Sequence, residues 1–149
     1  MQELKNLRDE GMVPELTYDI LLKLIKRKDK EAKYKKIRTF WGFSLIIIYT
    51  ILLYYLFYFK LSGSSQLHQL SSILADPFVL LLAIVAIGLT VIWVTIQKKY
   101  DDADDDYNDL RKEVIDRHFE LWYKQLDGRG KREVLALLDK KKDINLYHK

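Results

Sequence analysis

Asp102, Asp104, Asp106 and Glu113 stand at positions 1, 3, 5 and 12 of a twelve-residue window. That is the spacing with which an EF-hand loop presents carboxylates to calcium. Position 6 of such a loop turns sharply and takes glycine, whereas here it is Tyr107. Apolar residues also recur at helical steps straight through the window, at Tyr107, Leu110 and Val114. The pattern therefore predicts an acidic, solvated helix face that pairs with basic residues, not a cation loop. His68, His118 and His148 share no spacing that would converge on a metal or pair a base with a nucleophile. The chain has no cysteine, which excludes disulfides and thiolate chemistry. It carries no phosphate-binding glycine loop, no dinucleotide fingerprint and no HExxH helix. The expectation is a protein that is not an enzyme, with no catalytic residue, cofactor, metal or small-molecule substrate.

The remaining chemistry is electrostatic. Lys30, Lys33, Lys35, Lys36 and Arg38 crowd one side of an uncharged stretch, and Lys98 and Lys99 close a second one. These seven are the candidate contacts to anionic lipid, each contributing about 1 kcal/mol near such a surface. Their simplest role is to fix topology. Only Tyr34 interleaves the cluster as a stacking aromatic, so nucleic-acid binding is not expected.

The elements that position these charges are two apolar runs. Residues 40–59 and 77–96 hold no Asp, Glu, Lys, Arg or His, and twenty helical residues rise about 30 Å, the thickness of a bilayer's hydrocarbon core. Mean hydropathy is near neutral only because these runs are averaged against charged arms. The predicted fold is an all-α membrane protein, a two-span transmembrane hairpin with amphipathic cytoplasmic helices before and after it. Its parts are an N-terminal arm (1–39), the first span (40–59), a short outer loop (60–76), the second span (77–96) and a C-terminal arm (97–149). The basic residues flanking both spans place both termini in the cytoplasm. Trp41 and Trp93 then fall at the inner interface, and Tyr54, Tyr55, Tyr58 and Phe78 at the outer one. Ala86 and Thr90, with Gly88 on the adjoining face, offer a small-residue surface for packing between spans.

In the N-terminal arm Gly11 is expected to break any early helix. Pro14 opens an amphipathic one with Leu16, Ile20, Leu24 and Lys28 on one stripe and Leu21 and Ile25 beside it. In the outer loop Leu67, Leu70 and Leu74 suggest a short interfacial helix, and Asp76-Pro77 caps the second span. Beyond it Tyr107, Leu110, Val114, Leu121 and Trp122, widened by Phe119 and Leu126, predict one continuous helix that ends at Asp127-Gly128. Val134, Leu135, Leu137 and Leu138 outline a last short helix, after which the tail is expected to fray.

With the hairpin, the basic arm and the acidic-then-amphipathic arm in place, the layout resembles the YpbF-like family of small bacterial membrane proteins. The resemblance rests on length, two spans and helical arms, and implies a bacterial inner membrane with no assigned activity. The amphipathic stripes need a covering surface: each other, a copy of the chain, or another membrane protein. The expected function is a membrane-anchored scaffold or accessory subunit. The alternative is an oligomeric pore former of the holin or defence-effector kind.

Overall fold

The computed structural model describes residues 2–60, 73, 75–122 and 129–146. The elements are helices α1 (Gln2–Asp9), α2 (Glu15–Tyr55), α3 (Pro77–Asp116), α4 (His118–Leu121) and α5 (Arg129–Lys142). A π-helical turn, Leu56–Lys60, follows α2. No strand occurs among the described residues. The chain divides into two compact units, Met1–Lys33 with Asp101–Lys149, and Tyr34–Tyr100. The loop residues 61–72 and 74, with the interfacial helix expected on Leu67, Leu70 and Leu74, lie outside the described part.

The first unit is built on a core that holds Leu4, Leu21, Leu24, Ile25, Val134, Leu138 and Ile144, each at most 2% exposed. Tyr107, Leu110, Val114 and Leu121 complete it, so the two arm stripes do pack together, and α1 and α5 pack with them. One expectation is met here and two are corrected. A helix forms ahead of Gly11, and the glycine terminates it. At φ 72° Gly11 turns the chain, and its N–H and that of Met12 return to the carbonyls of Arg8 and Leu7 at 2.9 Å. The long helix of the C-terminal arm is interrupted after Asp116 by one residue, Arg117, whose N–H still donates to the Glu113 carbonyl at 2.9 Å and whose carbonyl accepts the Leu121 N–H at 3.0 Å, and α4 follows. Leu126 and Asp127-Gly128 lie outside the described residues, and Phe119 is 83% exposed instead of widening the stripe. The tail does not fray at 143–146 either. Asp143 turns left-handed (φ 54°), Ile144 is fully buried, and Arg111 Nε donates to the Asn145 carbonyl at 2.7 Å.

The buried face of α2 is also rotated from the expected one. Thr17, Leu21, Leu24, Ile25 and Glu31 point inward, while Leu16 is 65% exposed. The Thr17 hydroxyl explains the phase. It donates at 2.6 Å to the carbonyl of Leu121, at the end of α4, where a helix leaves carbonyls without partners. Thr17→Val, nearly isosteric, is expected to destabilise this unit by about 1–3 kcal/mol by stranding that buried carbonyl, measured as the shift in a chemical-denaturation midpoint.

The second unit pairs the apolar parts of α2 and α3. Pro77 sits in the first turn of α3 behind Asp76, whose Oδ1 accepts the Phe78 N–H at 2.9 Å and whose carbonyl accepts the Leu80 N–H. This is the cap that the Asp-Pro pair predicts. Contacts between the helices run from Gly42 beside Trp93, through Tyr49 Oη on Thr90 Oγ1 at 3.0 Å, to Tyr55 Oη donating to Asp76 at 3.1 Å. Numbers rise on one helix as they fall on the other, so the paired segments are antiparallel. Val79, Leu82 and Ala86 are the buried residues of α3 in this unit, spaced three and four apart. Both helices are long and apolar enough to cross a membrane.

Candidate interaction surfaces

The second unit turns its large apolar side chains outward. Phe43, Ile46, Ile47, Leu53, Ile84, Ile87 and Val91 are between 58% and 71% exposed. None of the most apolar window of α2 is buried, and only 17% of that of α3. A core helix of a water-soluble fold would show the reverse, and an apolar face of this extent marks an interaction surface. The polar groups between these side chains are internally satisfied. Ser44, Thr50 and Thr95 hydroxyls donate to the carbonyls four residues back at 3.1, 2.7 and 2.9 Å, and Thr90 bonds Ala86.

The candidate lipid-contact residues divide between the two units. In the second, Lys35, Lys36, Lys98 and Lys99 are exposed, and the Arg38 guanidinium lies 4.0 Å from the Tyr100 ring centroid. Arg38 and Gln97 border an open cleft of about 300 Å³ whose other walls include Phe43, Ile46 and Trp93. Gly42 gives the indole its room there, since a Cβ would lie 3.4 Å from Trp93 Nε1. A cleft with a cationic rim and an apolar floor suits an amphiphile.

In the first unit Lys33 is exposed, whereas Lys30 reaches Asp106 at 3.2 Å and Arg27 donates to the Asp106 carbonyl at 2.6 Å. Basic N-terminal arm and acidic segment therefore do meet, as their opposite charges suggest. Lys142 adds a bridge to Asp29 at 2.9 Å, and Lys141 one to Glu3, whose carboxyl is held below its ordinary pKa by that hydrogen bond. Asp102, Asp104, Asp106 and Glu113 lie on the unbroken helix α3 and form no loop. Among the described residues no three metal-ligating side chains gather. The free space between Thr17, Leu21, Val114 and Trp122 is only about 10 Å³, room for no more than a water.

One constellation escapes the sequence reading. Glu31, 3% exposed, faces Lys28, whose Nζ is 2.9 Å from Glu31 Oε2 and 4.7 Å from the Tyr107 ring centroid. The pair is close but off the hydrogen-bonding angle, which leaves Oε2 without a hydrogen bond. Burial pushes the Lys28 pKa down, and Glu31 more than reverses this, so it stands above its usual value. Burial likewise raises that of Tyr107. The three-residue step from Lys28 to Glu31 is the available signal, but in a stretch rich in lysine it reads as a solvated pair.

No curated protein and no solved structure matches the chain. Residues 20–149, which take in α2 from Ile20 onward and all of α3, α4 and α5, match the family model described as "Protein of unknown function (DUF2663)". The chain belongs to the DUF2663 family.

Proposed function

We propose that this protein is a membrane-anchored helical scaffold or accessory subunit. In this reading α2 and α3 insert as a two-span hairpin and the unit of α1, α4, α5 and the charged arms works in the cytoplasm. The observation that carries it is the contrast between the two units. One exposes large aliphatic and aromatic side chains along both helices, and the other buries its own around a closed core. Exposed apolar area is unfavourable in water by roughly 25 cal/mol per Å² and is relieved in lipid. The lysines at 35, 36, 98 and 99 favour the cytoplasmic side for both ends. Hydroxyls committed to backbone carbonyls support an anchor over a water-lined pore.

The absence of native cysteine makes the test direct. The full chain is expected to stay with the membrane after alkaline carbonate extraction. A cysteine at Ser64 should react with an impermeant maleimide added outside intact cells, and one at Asp139 only after lysis. Release by carbonate would sink the anchor, and the opposite labelling pattern would invert the topology.

A further inference from the structure

The first unit presents two charged faces of opposite sign, side by side. Lys23, Lys26, Lys30 and Lys33 follow one another at steps of three and four along α2, opposite the buried face of Leu21, Leu24 and Glu31. Asp102, Asp105 and Asp109 do the same on α3, continued by Glu113, opposite Ala103, Tyr107, Leu110 and Val114. Lys23, Lys26, Lys33, Asp102 and Asp105 are exposed, and none forms an ion pair among the described residues. Arg27 and Lys30, on one flank of α2, reach Asp106 on the facing flank of α3. Hence the helices are neighbours in one layer, and their outer faces look the same way.

We infer that a second copy of this chain docks on this face, related by a two-fold axis parallel to the two helices. Such an axis, placed over the seam between them, lays α2 of one copy on α3 of the other, and does so twice. The helices are antiparallel here and their register is fixed: Lys30 is level with Asp106, Lys28 with Tyr107 and Thr17 with Leu121. A two-fold along the helices preserves level. It therefore sets Lys33 against Asp102, Lys30 against Asp105, Lys26 against Asp109 and Lys23 against Glu113 of the second copy. Lys112 is a like charge among these pairs, and between them and the Leu16 level the same register sets exposed Asp19 against exposed Asp116, a second one. The same register brings Leu16, 65% exposed, to the level of Phe119, 83% exposed, of the second copy. These are the two large apolar side chains that the described part of this unit leaves exposed. Charge sets orientation and level, and the apolar pair supplies a contact that salt does not screen.

The inference rests on the scaffold reading only in treating this unit as a platform for protein contacts. The test uses the full chain in detergent micelles, with self-association measured by sedimentation equilibrium. Wild type should dimerise, more weakly at high salt. The triple variants Lys23→Glu/Lys26→Glu/Lys33→Glu and Asp102→Lys/Asp105→Lys/Asp109→Lys should each lose association at least tenfold. An equimolar mixture should recover most of it, because six of the eight facing pairs are then again opposite in sign, the exceptions being Lys30 against Asp105→Lys and Lys23→Glu against Glu113. A monomeric wild type, or triple variants that associate as wild type does, would overturn the proposal. So would a mixture that fails to recover although each variant keeps its helical circular dichroism. Should a triple variant not fold, disulfide formation between a Lys26→Cys copy and a separately tagged Asp109→Cys copy decides, and no mixed product rejects the interface. A chain that resists carbonate but is monomeric removes this inference and leaves the anchor standing.

Discussion

Lys28→Met is expected to destabilise the first helical unit by about 3 kcal/mol, the lower end of what breaking a buried ion pair from one side does. The size comes from what remains. Glu31 is 3% exposed, its Oε2 accepts no hydrogen bond, and Lys28 is the cation beside it at 2.9 Å. With the ammonium gone, the carboxylate must keep its charge in an apolar setting, take up a proton, or drag its helix toward water. The lower end applies because the Lys28 side chain is itself 19% exposed. Lys26→Met, on the solvent face of the same helix, should change stability by no more than about 0.5 kcal/mol. The double variant Lys28→Met/Glu31→Leu should recover most of the loss, since replacing both members of a buried pair by apolar residues is often neutral. Denaturation midpoints of the full chain, followed by circular dichroism, give all three values. A double variant no better than the single one would mean that the pair is not what holds Glu31 inside.

The same constellation gives a pH dependence whose sign is fixed. Lys28 stands above its usual pKa in the folded chain, and so does Tyr107. In both cases the folded state holds the proton more tightly than the unfolded one. Their contribution is complete below the unfolded values of about 10 to 10.5 and is lost as pH rises through the folded ones. Stability should fall on the alkaline side, and Tyr107→Phe should reduce that fall.

The helical architecture was legible because uncharged runs of bilayer length and steps of three and four survive any tertiary context. Asp76-Pro77 was legible as a cap for the same reason, being local chemistry. What the sequence hid was non-local. Nothing in residues 2–9 announces that Leu4 will be fully buried, because the surface that buries it arrives from the far end of the chain in α5. Ile144 vanished in the same way into a run of lysines. Among the lipid candidates, Lys30 and Arg38 read like their neighbours, yet a carboxylate and a tyrosine ring engage them. Glu31 shows the limit most clearly: a glutamate among lysines reads as solvated until an aromatic ring closes over its partner.

Leu24→Ala should destabilise the first unit by about 3 kcal/mol, within the range for a leucine that leaves a cavity in a packed core. Leu16→Ala should do so by no more than about 0.5 kcal/mol. The two leucines lie eight residues apart, near enough to two helical turns that a simple stripe puts both inside. Leu24 is fully buried, and Leu16 is 65% exposed. Eight residues at 3.6 per turn leave the two side chains about 80° apart around the helix, so Leu16 starts at the edge of the buried face, and what covers each end decides the rest. Leu24 belongs to the core that Tyr107, Leu110 and the α5 residues share, whereas at the other end Thr17 turns in to satisfy the Leu121 carbonyl and leaves Leu16 outside. Equal losses from the two substitutions would refute that phasing. If instead Leu16→Ala leaves unfolding unchanged but weakens self-association, the exposed leucine is a contact for the second copy, and its escape from the core is what makes it available.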